Sequence, residues 1–283
     1  MNDIKMIVMD MDGTLYRNDK SIDPSTIEIL KQCQQQGIVL VLASGRNCGD
    51  LLKVSEILDM RETGYIVGIN GLEIMCLKDG SHAVEGQLDS KDASYVFKLA
   101  HRYDLKGIAF TFERFYFYVR PYHRWWNRML SFFEGKLKEI GFEGEMVNNC
   151  YLKHPDDLIE PAINKLILQD DKIVQLKPKL MSALTDYDVM IVGPRWLEIM
   201  KKGVSKGKGV LKVAQRLGIS SDEIMCFGDA ENDLSMIECV KYGIAMGNAM
   251  ENVKAAAYYV TDTNMRQGIV KAIEHFKDEL YER

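Results

Sequence analysis

Apolar residues along this chain fall in short unbroken runs that end in polar or acidic residues. Met6-Ile7-Val8-Met9 leads into Asp10, and Asp12 follows one residue further on. Ile38–Ala43 ends in Ser44-Gly45-Arg46, Tyr65–Ile69 in Asn70-Gly71, and Ile224–Phe227 in Gly228-Asp229. Tyr242–Met246 ends in Gly247-Asn248, and Tyr258–Thr261 reads as a last strand. A run that is apolar at every position suits a strand buried on both faces, as in a parallel sheet. Helical spacing separates these runs. Asp23-Pro24 has the form of an N-cap and first-turn proline, Ile27, Leu30 and Cys33 follow, and Gly37 ends the segment. Further helices are expected over Asp50–Leu58, Val210–Leu217, Leu234–Val240, Met250–Ala257 and Ile269–Leu280. Strand, helix and strand in alternation imply parallel neighbours joined by right-handed crossovers. The pattern predicts an α/β fold with a Rossmann-like, doubly wound parallel sheet.

The pattern changes near Asp79-Gly80. Leu72–Leu77 reads as a strand returning from the Asn70-Gly71 turn, and Asn-Gly is a strong hairpin signal. Beyond it, shorter elements alternate: helix Ala93–Tyr103, strands Gly107–Phe112 and Phe115–Arg120, and helix Arg124–Ile140 with Trp125, Trp126, Met129, Phe132 and Phe133 on one face. Strand Ile163–Leu168, helix Ile173–Leu184 and strand Tyr187–Ile191 complete the set. This is the pattern of an inserted α+β domain over 82–192, with 1–80 and 194–283 forming the core around it. The aromatics between Phe110 and Phe133 are expected to build the insert's own core. Hinges are expected at Asp79-Gly80 and Val192-Gly193-Pro194, where glycine and proline punctuate the chain.

A length of 283 residues agrees with two domains. The net charge of -5 argues against bulk nucleic-acid binding. No apolar stretch is long enough to span a bilayer, and the acidic start MNDIKMIVMD is not a signal peptide. The six cysteines are scattered, with no C-x-x-C pair, which suits reduced thiols in a cytoplasmic protein. Neither a nucleic-acid nor a membrane partner is expected, and the protein is expected to be a monomer or a homodimer.

The strand ends carry the candidate chemistry. Asp10 and Asp12 repel unless a cation is present or one is protonated; a solvated strand end is the alternative reading. An EF-hand loop does not fit, because Gly13 comes too soon after Asp10 and no helix precedes it. Ser44-Gly45-Arg46 offers a hydroxyl and a guanidinium for an oxyanion, or equally an N-cap serine and a surface arginine. Lys206, in the stretch Lys201–Gly209 before the helix from Val210, opposes the helix dipole unless an anion lies near; a solvated basic loop is the other reading. Asp229 at the same sheet edge makes a third carboxylate, and hard oxygen ligands favour Mg²⁺. Turn chemistry alone accounts for Asn70.

Four ordered motifs then identify a family resemblance. D-M-D-G-T-L at Asp10–Leu15, A-S-G-R at Ala43–Arg46, G-V-S-K-G at Gly203–Gly207 and G-D-A-E-N-D at Gly228–Asp233 resemble the haloacid dehalogenase superfamily. A-M-G-N-A at Ala245–Ala249 and V-T-D-T-N at Val260–Asn264 extend the match, and the long gap after the second motif suits the large α/β cap (class IIB) of its Cof-type phosphatases. The resemblance implies a phosphatase acting on small phosphomonoesters, with Asp10 as nucleophile and Asp12 as acid and base. It implies that Ser44, Lys206 and Asn232 hold the phosphoryl group. Mg²⁺ would be held by Asp10, the backbone carbonyl of Asp12 and Asp229, with Asp233 supporting its water shell. Arg46, Asn70 and Asn248 are further candidates near the substrate. Asp12 argues against a dehalogenase, which has no leaving oxygen to protonate. A phosphomutase on the same core, or a regulatory relative without turnover, are the alternatives.

Overall fold

The four residues of strand β1 (Met6–Met9) are all fully buried, as an apolar run of this kind requires. Burying each such side chain contributes about 1.5–3 kcal/mol. The computed structural model describes residues 4–120, 149–158, 160, 162–192 and 195–280. The expected helix Arg124–Ile140, with its aromatic face, lies outside them, as do Gly193 and Pro194. The chain divides into two compact units, Met1–Val84 with Ser205–Arg283, and Glu85–Val204.

In the first unit β1 lies at the centre of a sheet. Helix α1 (Pro24–Gln35) leads to β2 (Val39–Ala43), and α2 (Leu52–Ile57) to β3 (Tyr65–Gly68), both strands parallel to β1 on one side. Asp23 caps α1 by accepting from the Ser25 N–H, as its sequence suggested. Strands β4 (Glu73–Cys76) and β5 (His82–Val84) continue that side antiparallel, as the Asn70-Gly71 turn predicts. On the other side of β1 lie β12 (Ile224–Gly228), β13 (Tyr242–Ala245) and β14 (Tyr259–Val260), all parallel. Among the described residues the order is β14-β13-β12-β1-β2-β3-β4-β5. The chain moves one way from β1 to β2 and later returns to place β12 on β1's other flank. The carboxyl ends of β1 and β12 therefore flank the point where strand order reverses, the place where open α/β sheets bind ligands. Helices α5 (Lys206–Leu217), α6 (Leu234–Glu238), α7 (Glu251–Ala256), α8 (Gly268–His275) and α9 (Lys277–Leu280) complete this unit.

The second unit has its own sheet and core. It contains α3 (Ser90–Tyr103), β6 (Lys106–Phe110), β7 (Phe115–Tyr118), β8 (Asn149–Leu152), β9 (Lys165–Gln169), α4 (Ile173–Ala183), β10 (Tyr187–Ile191) and β11 (Trp196–Lys201). The described strands order as β10-β11-β9-β6-β7-β8. Phe97, Tyr116, Tyr118, Leu166, Leu168, Ile173 and Leu180 share one apolar cluster. Phe110, Phe115, Phe117 and Trp196 belong to a second. Phe110, Phe115, Tyr116, Phe117 and Tyr118 thus pack into these clusters, while Phe112 is exposed.

Three local expectations differ from the structure. Trp196–Lys201 is a strand of the second sheet, paired antiparallel with both β9 and β10, so the units part at 84/85 and 204/205. Asp79-Gly80 lies in the connection of the β4–β5 hairpin, where Gly80 takes φ +69°, and both strands belong to the first sheet. The helix expected from Val210 starts instead at Lys206, with Ser205 as N-cap accepting from the Lys208 N–H. Gly207 and Gly209 read as loop residues by propensity. Packing requires them inside the helix: a Cβ on Gly207 would lie 2.0 Å from the Ser235 carbonyl oxygen, and one on Gly209 2.5 Å from Val67.

Candidate active site

Asp10 follows β1 directly, and its N–H still donates to the Phe227 carbonyl of β12, so the ladder holds it at the sheet edge. The early start of α5 places Lys206 in the first helical turn with its side chain fully buried. Its Nζ donates to Asp10 Oδ1 at 2.5 Å and to Asp233 Oδ1 at 2.6 Å. The other oxygen of Asp233 accepts from the backbone N–H groups of Asp229 and Ala230, each at 2.9 Å. Asp233 thereby fixes both the lysine and the turn that carries Asp229. Asp229 Oδ1 accepts from the Thr14 hydroxyl at 2.8 Å. Gly13, at φ +84°, must be glycine for a second reason, since a Cβ there would fall 2.4 Å from Asp229 Oδ2.

One carboxylate oxygen from each of Asp10, Asp229 and Asp233 can be chosen so that all three lie within 4.8 Å of one another. Among the described residues Lys206 is the cation that bonds to this group, so three ionised carboxylates would leave it with excess negative charge. The acidities register that excess. Burial, then the charge of Asp233, push Asp10 up to about 8, although Lys206 pulls the other way. Burial and the same neighbour push Asp229 up to about 6, with the Thr14 hydrogen bond opposing. Lys206 is raised above the ordinary lysine range: burial works against its charge, and Asp10 and Asp233 overcome it. These hard oxygen donors with surplus charge fit a divalent cation such as Mg²⁺.

Asp12 is placed differently. Its carboxylate accepts from Arg46 Nε at 3.1 Å and Nη2 at 2.9 Å, and from Lys20 Nζ at 2.5 Å. Burial raises its pKa, yet the Lys20 hydrogen bond and the two cations outweigh that and hold it below the usual carboxylate value. The Arg46 guanidinium also sits 5.8 Å from the Tyr16 ring centroid. Ser44 is buried after β2, and its Oγ accepts from the Arg46 N–H at 3.2 Å. Asn70 is fully buried at φ +52°; its N–H donates to the Ser44 carbonyl, and its Oδ1 accepts from Asn232 Nδ2 at 3.0 Å. Asn248 serves the loops: its Nδ2 donates to the Gly13 carbonyl at 2.8 Å, and its Oδ1 accepts from the Asn264 N–H at 3.0 Å.

Direct bonds therefore join Asp10, Lys206 and Asp233, with Asp229 beside them. Asp12 pairs with Arg46, and Asn70 with Asn232. Sequence reasoning missed Lys20, whose approach to Asp12 goes with a left-handed backbone at φ +65° that no local pattern announces. It also missed Thr14 as a partner of Asp229, although Thr14 lies within the D-M-D-G-T-L motif.

The chain belongs to the haloacid dehalogenase-like hydrolases, whose family model matches residues 7–273. This is the family to which the four motifs pointed. The 5-amino-6-(5-phospho-D-ribitylamino)uracil phosphatase YcsE of Bacillus subtilis is 26% identical over 274 residues, covering 97% of this chain and 96% of its own. The solved structure of BT1666 from Bacteroides thetaiotaomicron, described among phosphatases of the haloalkanoate enzyme superfamily, is 25% identical with a TM-score of 0.79, covering 97% of this chain and 95% of its own. The subclass IIB sugar phosphatase BT4131 shares the fold at 22% identity and a TM-score of 0.78, covering 96% of this chain and 99% of its own. Among the described residues no helix is long and apolar enough to cross a membrane.

Proposed function

We propose that the chain is a Mg²⁺-dependent phosphatase that hydrolyses small phosphomonoesters through an aspartyl-phosphate on Asp10. The observation that carries this reading is the buried Asp10–Lys206–Asp233 arrangement with Asp229 beside it. It presents a carboxylate nucleophile, an ammonium, and a surplus of negative charge that a dication balances. Phosphoryl transfer needs that positioning and charge neutralisation above all.

Asp10, Asp229 and the backbone carbonyl of Asp12 would hold Mg²⁺, with Asp233 supporting its water shell. When bound, the ion supplies charge neutralisation at the carboxylates and at the phosphoryl oxygens. Asp10 attacks phosphorus as the ester P–O bond breaks, and the leaving oxygen takes a proton from Asp12. Water then attacks the phosphorus of the aspartyl-phosphate, gives its proton to Asp12, and releases inorganic phosphate and free Asp10. Lys206, Ser44 and Asn232 bind the phosphoryl oxygens, and Asn70 aims the Asn232 amide. Donation by Asp12 requires its carboxyl group to part from Lys20 and Arg46, because their contacts favour the ionised form.

The substrate class is a small phosphorylated metabolite, such as a sugar phosphate or a phosphorylated cofactor; the phosphate-bearing ribitylaminouracil on which YcsE is named to act fits that class. The inserted unit, a cap in this reading, would choose among such substrates. Phosphate release from a panel of phosphorylated metabolites, with and without Mg²⁺, tests the proposal. Quantitative release of inorganic phosphate supports it. Return of the phosphoryl group to a second hydroxyl of the sugar would identify a mutase, and absence of turnover on every ester would identify a regulatory relative.

A further inference from the structure

Away from these aspartates, the first unit gathers a thiol, a carboxylate and an imidazole at one place. Cys48 stands at the start of the short helical turn after β2, Glu73 opens β4, and His82 opens β5 at the edge of the sheet. One ligand atom from each can be chosen so that all three lie within 4.8 Å of one another. Glu73 Oε2 accepts from the Cys48 N–H at 2.7 Å, which fixes the carboxylate, while Oε1 faces His82 Nε2 at 3.3 Å. That spacing is close to the edge of a tetrahedron with metal–ligand bonds of about 2.0–2.2 Å. The strand register accounts for the meeting: His82 is paired with Met75, two residues along β4 from Glu73 and on the same face.

The surroundings keep the space open. Gly68 lies opposite Glu73 in β3, and a Cβ there would fall 2.6 Å from Glu73 Oε2 and 2.8 Å from Cys48 Sγ. Cys48 and Glu73 are buried, whereas the His82 side chain is 36% exposed, so the cluster has one side open to solvent. A buried carboxylate against a buried thiol is an unfavourable neighbour for a thiolate, and burial followed by the Glu73 charge raises the Cys48 pKa. A metal ion reverses that balance by replacing the thiol proton.

We propose that Cys48, Glu73 and His82 form a second metal site, selective for Zn²⁺ or another thiolate-binding transition ion over Mg²⁺. Sulfur, nitrogen and oxygen donors from three side chains suit tetrahedral zinc with water in the fourth position, whereas Mg²⁺ prefers six oxygens. On binding, the Cys48 S–H bond breaks, its proton passes to solvent, and the sulfur electron pair forms the metal–sulfur bond. The ion ties the β4–β5 edge to the loop after Arg46. This reading is independent of the phosphatase assignment.

The test uses the full-length chain, stripped of metal with chelator and then held in excess Mg²⁺. Titration with Co²⁺ should give one equivalent with a thiolate-to-cobalt absorption band, and Zn²⁺ should displace it with loss of the band. Cys48→Ser should abolish the band. Glu73→Gln and His82→Ala should weaken Co²⁺ binding by roughly tenfold or more. Zn²⁺ should release a proton from the wild-type chain and not from Cys48→Ser. A missing band in the wild-type chain, or a band that persists in Cys48→Ser, overturns the proposal. Should Cys48→Ser fail to fold, unchanged Co²⁺ affinity in His82→Ala overturns it equally.

Discussion

Lys206 Nζ lies 2.5 Å from Asp10 Oδ1, joining two residues 196 positions apart in the chain. The lysine is sealed from solvent and answers to Asp233 as well. Stripping a buried ammonium of its hydration is expensive, and two carboxylates in direct contact offset that penalty. Removing the lysine therefore leaves charges buried and unpaired. Lys206→Met should destabilise the first unit by about 3–5 kcal/mol in chemical denaturation at neutral pH. A loss below about 1 kcal/mol would mean that the pair carries little.

The raised pKa of Asp10 has a pH signature in protein freed of divalent ions. Its pKa is about 8 in the folded chain against an ordinary value of 3.8. Between those values the folded state takes up a proton that the unfolded state lacks, so stability falls as pH rises through this window. The elevation of Lys206 acts only above the ordinary lysine value of 10.5 and does not enter. Thermal midpoints of metal-free wild type should decline from pH 5 to pH 8 relative to Asp10→Asn, and saturating Mg²⁺ should flatten the difference. Parallel curves for the two proteins without metal would contradict the burial argument.

Gly13 and Asp229 bear together on the proposed Mg²⁺ site. Asp229→Ala removes a carboxylate from the acidic group, and Gly13→Ala drives a methyl group against Asp229. Both substitutions should raise the Mg²⁺ concentration needed for half-maximal activity by roughly tenfold or more, with Asp229→Ala the more severe. Ca²⁺ should inhibit, because its looser coordination would misplace Asp10. Full activity of wild-type protein after exhaustive EDTA treatment would remove the metal from the account.

Arg46 and Lys20 hold Asp12 below the usual carboxylate range. Arg46→Ala should let its pKa rise, moving the basic limb of the kcat/KM profile to higher pH, because Asp12 must be protonated to donate to the leaving oxygen. Arg46→Lys should restore part of the shift, since it keeps the charge and loses the two-pronged contact. A basic limb that stays in place in Arg46→Ala would show that this pairing does not set the titration of Asp12.

Much of the frame was legible because its signals are local. The run Met6–Met9 is apolar at every position, and such a strand has one natural place, inside a parallel sheet. Asp10, Ser44 and Asp229 stand at strand ends for the same reason. What escaped depends on distant partners. Lys206 looked like a loop residue because two glycines follow it, and only Ser235 and Val67 explain those glycines. Trp196–Lys201 became a strand of the second sheet through pairing with β9 and β10. The Asn70-Gly71 turn is legible from its chemistry, yet the hydrogen bond from Asn232, 162 residues away, is not.

The central claim is that Asp10 carries the phosphoryl group. Rapid acid quench during turnover of a good phosphomonoester substrate, followed by mass analysis of the peptides, tests it most directly. A phosphoryl adduct on the peptide holding Asp10, absent from Asp10→Asn along with all but a trace of turnover, is the predicted result. An Asp10→Asn variant that keeps about a tenth or more of wild-type turnover, or an adduct confined to another residue, would contradict it.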